Sequence, residues 1–92
     1  MKIMLQVPDA RTQGAMINDV IAFFKRHHKV EDTDQYWDSV VDDVKALCEK
    51  YKEYSYIPDG EKQPVSIMFD MLMPHVDLFE AMGRQIRTQK IA

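Results

Sequence analysis

The sequence predicts an all-α fold, a small bundle of three principal helices preceded by an extended N-terminal segment, and three observations carry that prediction. Apolar residues recur at helical spacing over three long segments. Strand-like alternation is confined to residues 2–7, where Ile3, Leu5 and Val7 share one side. The one sizeable break runs from Ser55 to Pro64 through Pro58, Asp59 and Gly60, a turn combination in which Pro presets φ, Asp bonds its own backbone and Gly permits positive φ.

The N-terminal run is the weakest element. A lone strand has nothing to pair with, and the segments Tyr54–Ile57 and Val65–Phe69 are the available partners. The second of these is also claimed by helical periodicity, so an α+β fold with a short strand at residues 2–7 stands as the alternative.

The first helix is expected from about Asp9 to His28. At 100° per residue Met16, Ile17, Val20, Ile21, Phe24, His27 and His28 fall on one side. Asp9 is its candidate N-cap, with Gly14 weakening the first turns. The second helix, Asp34 to Tyr54, has the clearest pattern: Trp37, Val40, Val41, Val44, Leu47, Cys48 and Tyr51 keep the i, i+3, i+4, i+7 spacing. Thr33 or Asp34 can cap it, and Asp34 and Asp38 sit near its positive end, where the macrodipole favours carboxylates.

The third segment follows Pro64. Val65, Met68, Phe69, Leu72, Val76, Phe79, Gly83 and Ile86 hold one helical phase across Pro74, while Asp70, Pro74, Asp77 and Glu80 share the opposite face. One helix kinked at Pro74 and two helices split near Met73 both satisfy this pattern.

Ninety-two residues fit one helical domain, residues 1–92, with a modest core. Hydrophobic residues at 46% and charged residues at 29% are ordinary globular usage and argue against a disordered or membrane-spanning chain. The apolar run before Pro8 is too short for a signal peptide, and a lone Cys48 cannot form an internal disulfide, so a reducing cytoplasm is the expected compartment.

A net charge of −3 disfavours nonspecific attraction to nucleic acid or anionic membrane, but the charge is unevenly spread. Residues 1–29 carry five bases against two acids, residues 30–49 one base against seven acids, and residues 50–92 six of each. Within the acidic stretch Asp34, Asp38 and Asp42 recur at i+4 with Glu49 on the same flank. Like charges so spaced repel by tenths of a kcal/mol per pair, and Asp is a poorer helix former than Glu, so stability alone would not choose this stripe. Its functional reading is a docking surface for a basic partner protein or a weak divalent-cation site; its ordinary reading is a solvated face.

Two basic helix ends offer an alternative. Lys25, Arg26 and Lys29 close the first helix, and Arg84, Arg87 and Lys90 the third. Such residues could contact nucleic-acid phosphates, yet the macrodipole favours cations at helix C-termini wherever they occur, and no aromatic residues interleave with them as a stacking platform.

The third helix is rich in methionine. Met71, Leu78 and Met82 widen its apolar arc beyond one stripe, which suits either gap filling in a small core or an adaptable partner surface, including self-association into a homodimer. Adjacent His27 and His28 diverge by about 100° on a helix and make a poor chelate. A site joining His75 and Cys48 would need tertiary contact, and Cys48 on an apolar face reads as an inert thiol. No nucleophile elbow, phosphate loop, HExxH or paired-cysteine motif occurs. The sequence therefore implies no catalytic residue, metal or cofactor. The function expected from it is protein–protein interaction through the acidic helix or the Met-rich helix, with a nucleic-acid-associated role second and a metal-dependent or enzymatic role third.

Overall fold

Asp9 opens the first helix by accepting the Thr12 N–H on its carboxylate at 2.7 Å, which satisfies a backbone donor the helix itself cannot. The computed structural model of the protein describes residues 3–4 and 6–91, and its elements in chain order are β1 (Ile3–Met4), α1 (Ala10–His27), α2 (Asp34–Lys50), β2 (Ser55–Ile57), β3 (Val65–Ser66) and α3 (Ile67–Ile91). Thr33 caps α2 through its hydroxyl, which accepts the Tyr36 N–H at 3.1 Å. The Ser66 hydroxyl does the same for Phe69 at the start of α3.

The fold is mostly helical, but an all-α description is incomplete. The three short strands form one antiparallel sheet in the order β1-β2-β3, with Ile3 opposite Ile57, Met4 opposite Tyr56, and Tyr56 also opposite Val65. The α+β alternative is therefore the better account. Its strand is shorter than residues 2–7: Gln6 and Val7 lie outside it, and residues 2 and 5 fall outside the described residues. Ser55–Ile57, inside the segment Tyr54–Ile57 that the sequence offers as a strand partner although it also opens the loop, pairs with β1, and Val65–Ser66 from the second offered segment pairs with β2. The turn between β2 and β3 has the expected chemistry, with Gly60 at φ +80° and the Glu61 N–H donating to the Pro58 carbonyl.

The third helix is continuous through Pro74, which removes the two-helix arrangement. Pro74 is exposed, so its ring distorts backbone hydrogen bonding without interrupting the buried line Met68, Leu72, Phe79. Pro74→Ala is expected to stabilise the protein by about 1–3 kcal/mol, because a missing donor and a clash with the Asp70 carbonyl are both relieved. Urea titration checks it: a loss of stability at unchanged slope would mean that the fixed φ of Pro74 is required.

The core draws Met16, Val20 and Phe23 from α1, Tyr36, Val40, Leu47 and the capping Tyr51 from α2, and Met68, Leu72 and Phe79 from α3. The buried line on α1 is thus rotated from the expected one. Phe23 replaces Phe24, while Ile17 and Ile21 turn outward. On α2, Val41 is exposed and Tyr36 buried; on α3, Phe69 is exposed. In each case the apolar arc is wider than the neighbouring helices can cover. Helices α2 and α3 come close at Gly83, where an added Cβ would stand 3.0 Å from the Trp37 ring.

Candidate functional site

Helices α1 and α3 lie side by side and run in the same direction. Ile17 shares the wall of one hollow with Met71, and further along Phe24 packs against both His75 and Phe79, at ring separations of 5.9 and 6.1 Å. Between the two helices runs an apolar groove. It contains two adjoining hollows of about 330 and 280 Å³, one lined by Val7, Pro8, Gln13, Met16, Ile17, Ile67 and Met71, and the next by Ile17, Val20, Ile21, Phe24, Met71 and His75.

Large apolar side chains stay open to solvent along this groove. Ile17, Ile21 and Phe24 on α1 are 51, 46 and 39% exposed, and Leu78 and Met82 on α3 are 49 and 37% exposed. On α3, Met71, His75, Leu78 and Met82 follow i, i+4, i+7 and i+11 spacing and so form one row facing the same side. Phe24 is held in place by stacking on His28 at 5.7 Å as well as on Phe79. Of the residues read from sequence as partner-binding, Met71, Leu78 and Met82 are therefore brought together. Ile17, Ile21, Phe24 and His75 join them, and sequence reading had placed the first three in the core. The signal was present: Met16, Ile17, Val20, Ile21, Phe23 and Phe24 span far more of α1 than the roughly 100° stripe that one buried face needs.

The acidic stripe lies elsewhere. Asp34, Asp38, Asp42 and Glu49 are exposed on α2, and Glu49 pairs with Lys52 at 3.0 Å on the surface. Asp38 and Asp42 line a wide trough together with Glu31 and Asp43, and its cations are Lys29 and Arg26, the latter paired with Asp43. The carboxylates that bind helices together are others. Asp43 accepts from Arg26 Nε and lies 2.7 Å from His27 Nε2, a buried ring, while the Tyr36 hydroxyl donates to the His27 carbonyl at 2.6 Å. Asp19 accepts from Lys50 at 2.9 Å and from the Tyr51 hydroxyl at 2.5 Å. Asp32 accepts from Arg87 at 3.0 Å, and Asp70 from the Tyr56 hydroxyl.

These pairings decide what the basic residues have left to offer. Arg26 is engaged by Asp43, Arg87 by Asp32 and Arg84, more loosely, by Glu80 at 3.8 Å. Lys25 and Lys29 are exposed, and the side chain of Lys90 lies outside the described part of the structure. His75 packs on Phe24 in the groove, whereas Cys48 packs against the core; burial pushes its thiol up, with Ser66 opposing the shift to a lesser degree. Among the described residues no three His, Cys, Asp or Glu side chains are placed to hold a metal ion, and no helix is long and apolar enough to cross a membrane.

Burial opposes ionisation of Asp43, but hydrogen bonds from His27 and Arg26, with the Arg26 charge, outweigh it and hold the carboxyl below its ordinary 3.8. A carboxylate whose folded pKa is depressed stabilises the fold above its unfolded pKa, and that contribution is lost as pH falls through the folded value. Asp43→Asn is therefore expected to cost about 1–3 kcal/mol at neutral pH, the range for losing charge-assisted hydrogen bonds at a partly buried site. The difference from wild type should shrink on acidification below pH 3.8. Urea titrations at both pH values check it, and an unchanged difference at low pH would contradict it.

No protein-family model matches the chain, and neither a curated protein nor a solved structure shows significant similarity to it. Function is therefore read from the surface itself. The groove is lined by aliphatic, aromatic and thioether side chains with His75 in its wall, an exposed apolar strip of the kind that solvent-facing surfaces seldom carry without a role.

Proposed function

We propose that the protein is a protein-interaction module whose working surface is the apolar groove between α1 and α3. The observation that carries this reading is the set of large side chains left exposed there: Ile17, Ile21 and Phe24 on α1, with Leu78 and Met82 continuing the Met71 row on α3. Scattered single apolar residues on a surface need no explanation, but a contiguous strip along two packed helices does. Methionine adds conformational adaptability to such a surface, and the clamped aromatic Phe24 adds a fixed anchor. The groove has the form that receives an amphipathic helix, with anchors at i, i+4 and i+7.

The acidic face of α2 is the weaker candidate, because Asp34, Asp38, Asp42 and Glu49 are an exposed stripe on one helix, and such a solvated charge face steers encounter more than it supplies buried contact area. The test is photocrosslinking in the cells that make the protein, with a benzophenone side chain introduced at Ile21 or, separately, at Asp42. Covalent protein adducts from Ile21 and none from Asp42 are expected. Adducts from Asp42 alone would move the working surface to α2.

A further inference from the structure

Resting on that reading of the groove, we infer that its occupant is a second copy of the chain, related by a two-fold axis running along the helices. Three features point this way. The first is area. Val7, Ile17, Ile21, Phe24, Leu78 and Met82 are 37–65% exposed. At roughly 200 Å² for each bare side chain, they offer on the order of 500 Å² of apolar surface per copy. A standard interface takes about 800 Å² from each partner, and homodimer interfaces are about 65% apolar, so the strip supplies what a dimer needs.

The second feature is shape. Because α1 and α3 are parallel neighbours, a two-fold axis along them lays α1 of each copy on α3 of the other, with both apolar rows meeting face to face. This is a closed, self-complementary contact that leaves no apolar row uncovered and no surface free to propagate a fibre. The resulting four-helix layer keeps each level, covering Ile17 and Ile21 with the other copy's Met71 and His75 and setting Phe24 against its Leu78.

The third feature is charge. Beyond the apolar rows, the outer flank of α1 carries Arg11 and Lys25, and the outer flank of α3 carries Asp70 and Asp77. The pairing of Ile17 with Met71 and of Phe24 with His75 and Phe79 sets Lys25 level with Asp77 to within a helical turn. An axis along the helices preserves that level, so Lys25 of one copy faces Asp77 of the other, twice per dimer. An axis across the helices would instead set α1 against α1 and bring like charges together.

Sedimentation equilibrium of the full chain across the micromolar range tests the inference. Wild type should behave as a dimer in equilibrium with monomer. Leu78→Glu should be monomeric with an unchanged circular dichroism spectrum, since Leu78 is half exposed in the single copy. Lys25→Asp and Asp77→Lys should each weaken association about tenfold, and the double swap should recover it. A dimer indifferent to Leu78→Glu, or singles not rescued by the double swap, would overturn the arrangement. A wild type that stays monomeric while Ile21 still crosslinks to a different protein would overturn the second copy and leave the groove as the working surface. A monomer with no crosslink from Ile21 would overturn both.

Discussion

Val40→Asp is expected to leave the protein largely unfolded at 25 °C, whereas Val41→Asp, one residue along the same helix, is expected to fold. Val40 is 1% exposed in the centre of α2 and Val41 is 47% exposed. A carboxylate at the first position would be buried among apolar side chains. Among the described residues no buried side-chain polar atom lacks a hydrogen-bond partner, so no spare donor waits there to receive it. Burying an unpaired charge costs several kcal/mol, and the total stability of a domain of this size is about 5–14 kcal/mol, so the single change removes most of the margin. At the second position the charge stays in water, beside Glu80 as well as Arg84 and Arg87, and the cost is within about 1 kcal/mol. Far-ultraviolet circular dichroism and thermal melts of the two variants decide it. If Val41→Asp proved the more damaging, the rotation of α2 about its own axis would be wrong.

That one-residue contrast marks what helical periodicity can and cannot convey. The three helices were legible because each carries apolar residues at helical spacing over many turns, and the caps at Asp9 and Thr33 were legible because few side chains can satisfy the first N–H groups. Which part of a wide apolar arc is buried was not, since this depends on where the two neighbouring helices stand. α1 shows it: the arc from Met16 to Phe24 holds both a core line through Val20 and Phe23 and a surface line through Ile17, Ile21 and Phe24, and sequence reading merged them. The sheet was hard to see for a different reason. Strands of two or three residues are too short to display alternation, and Val65 lies in phase with the helix that follows it.

The charged residues divide in the same manner. The i+4 acids Asp34, Asp38 and Asp42 drew notice because their spacing is regular, yet they are exposed on a single helix. The acids that join elements, Asp19, Asp32 and Asp43, are paired with Lys50, Arg87 and Arg26 at separations of 31, 55 and 17 residues, which no local pattern records. Asp43 even neighbours Asp42 in the chain. A turn of 100° separates a solvent-facing carboxylate from one that holds α1 to α2.

The same distinction between core and surface lines separates fold from function on α1 and α3. Phe79→Ala is expected to destabilise the protein by about 3–5 kcal/mol, because its ring is fully buried against Phe23 and Phe24 and its removal leaves a cavity that neighbouring helices cannot wholly close. For a domain of this length that corresponds to a fall in melting temperature of about 15 °C or more. Phe24→Ala removes a ring that stacks on Phe79 but is 39% exposed, so its cost to the isolated fold should be much smaller. Its effect on association should be the larger of the two, since it takes away the anchor at the middle of the groove. Melting curves measured at low concentration, where monomer predominates, isolate the first effect, and sedimentation equilibrium on the folded variants measures the second. If Phe24→Ala matched Phe79→Ala in lost stability and left association unchanged, Phe24 would belong to the core, as the sequence pattern alone suggests, and the groove would lose its central contact.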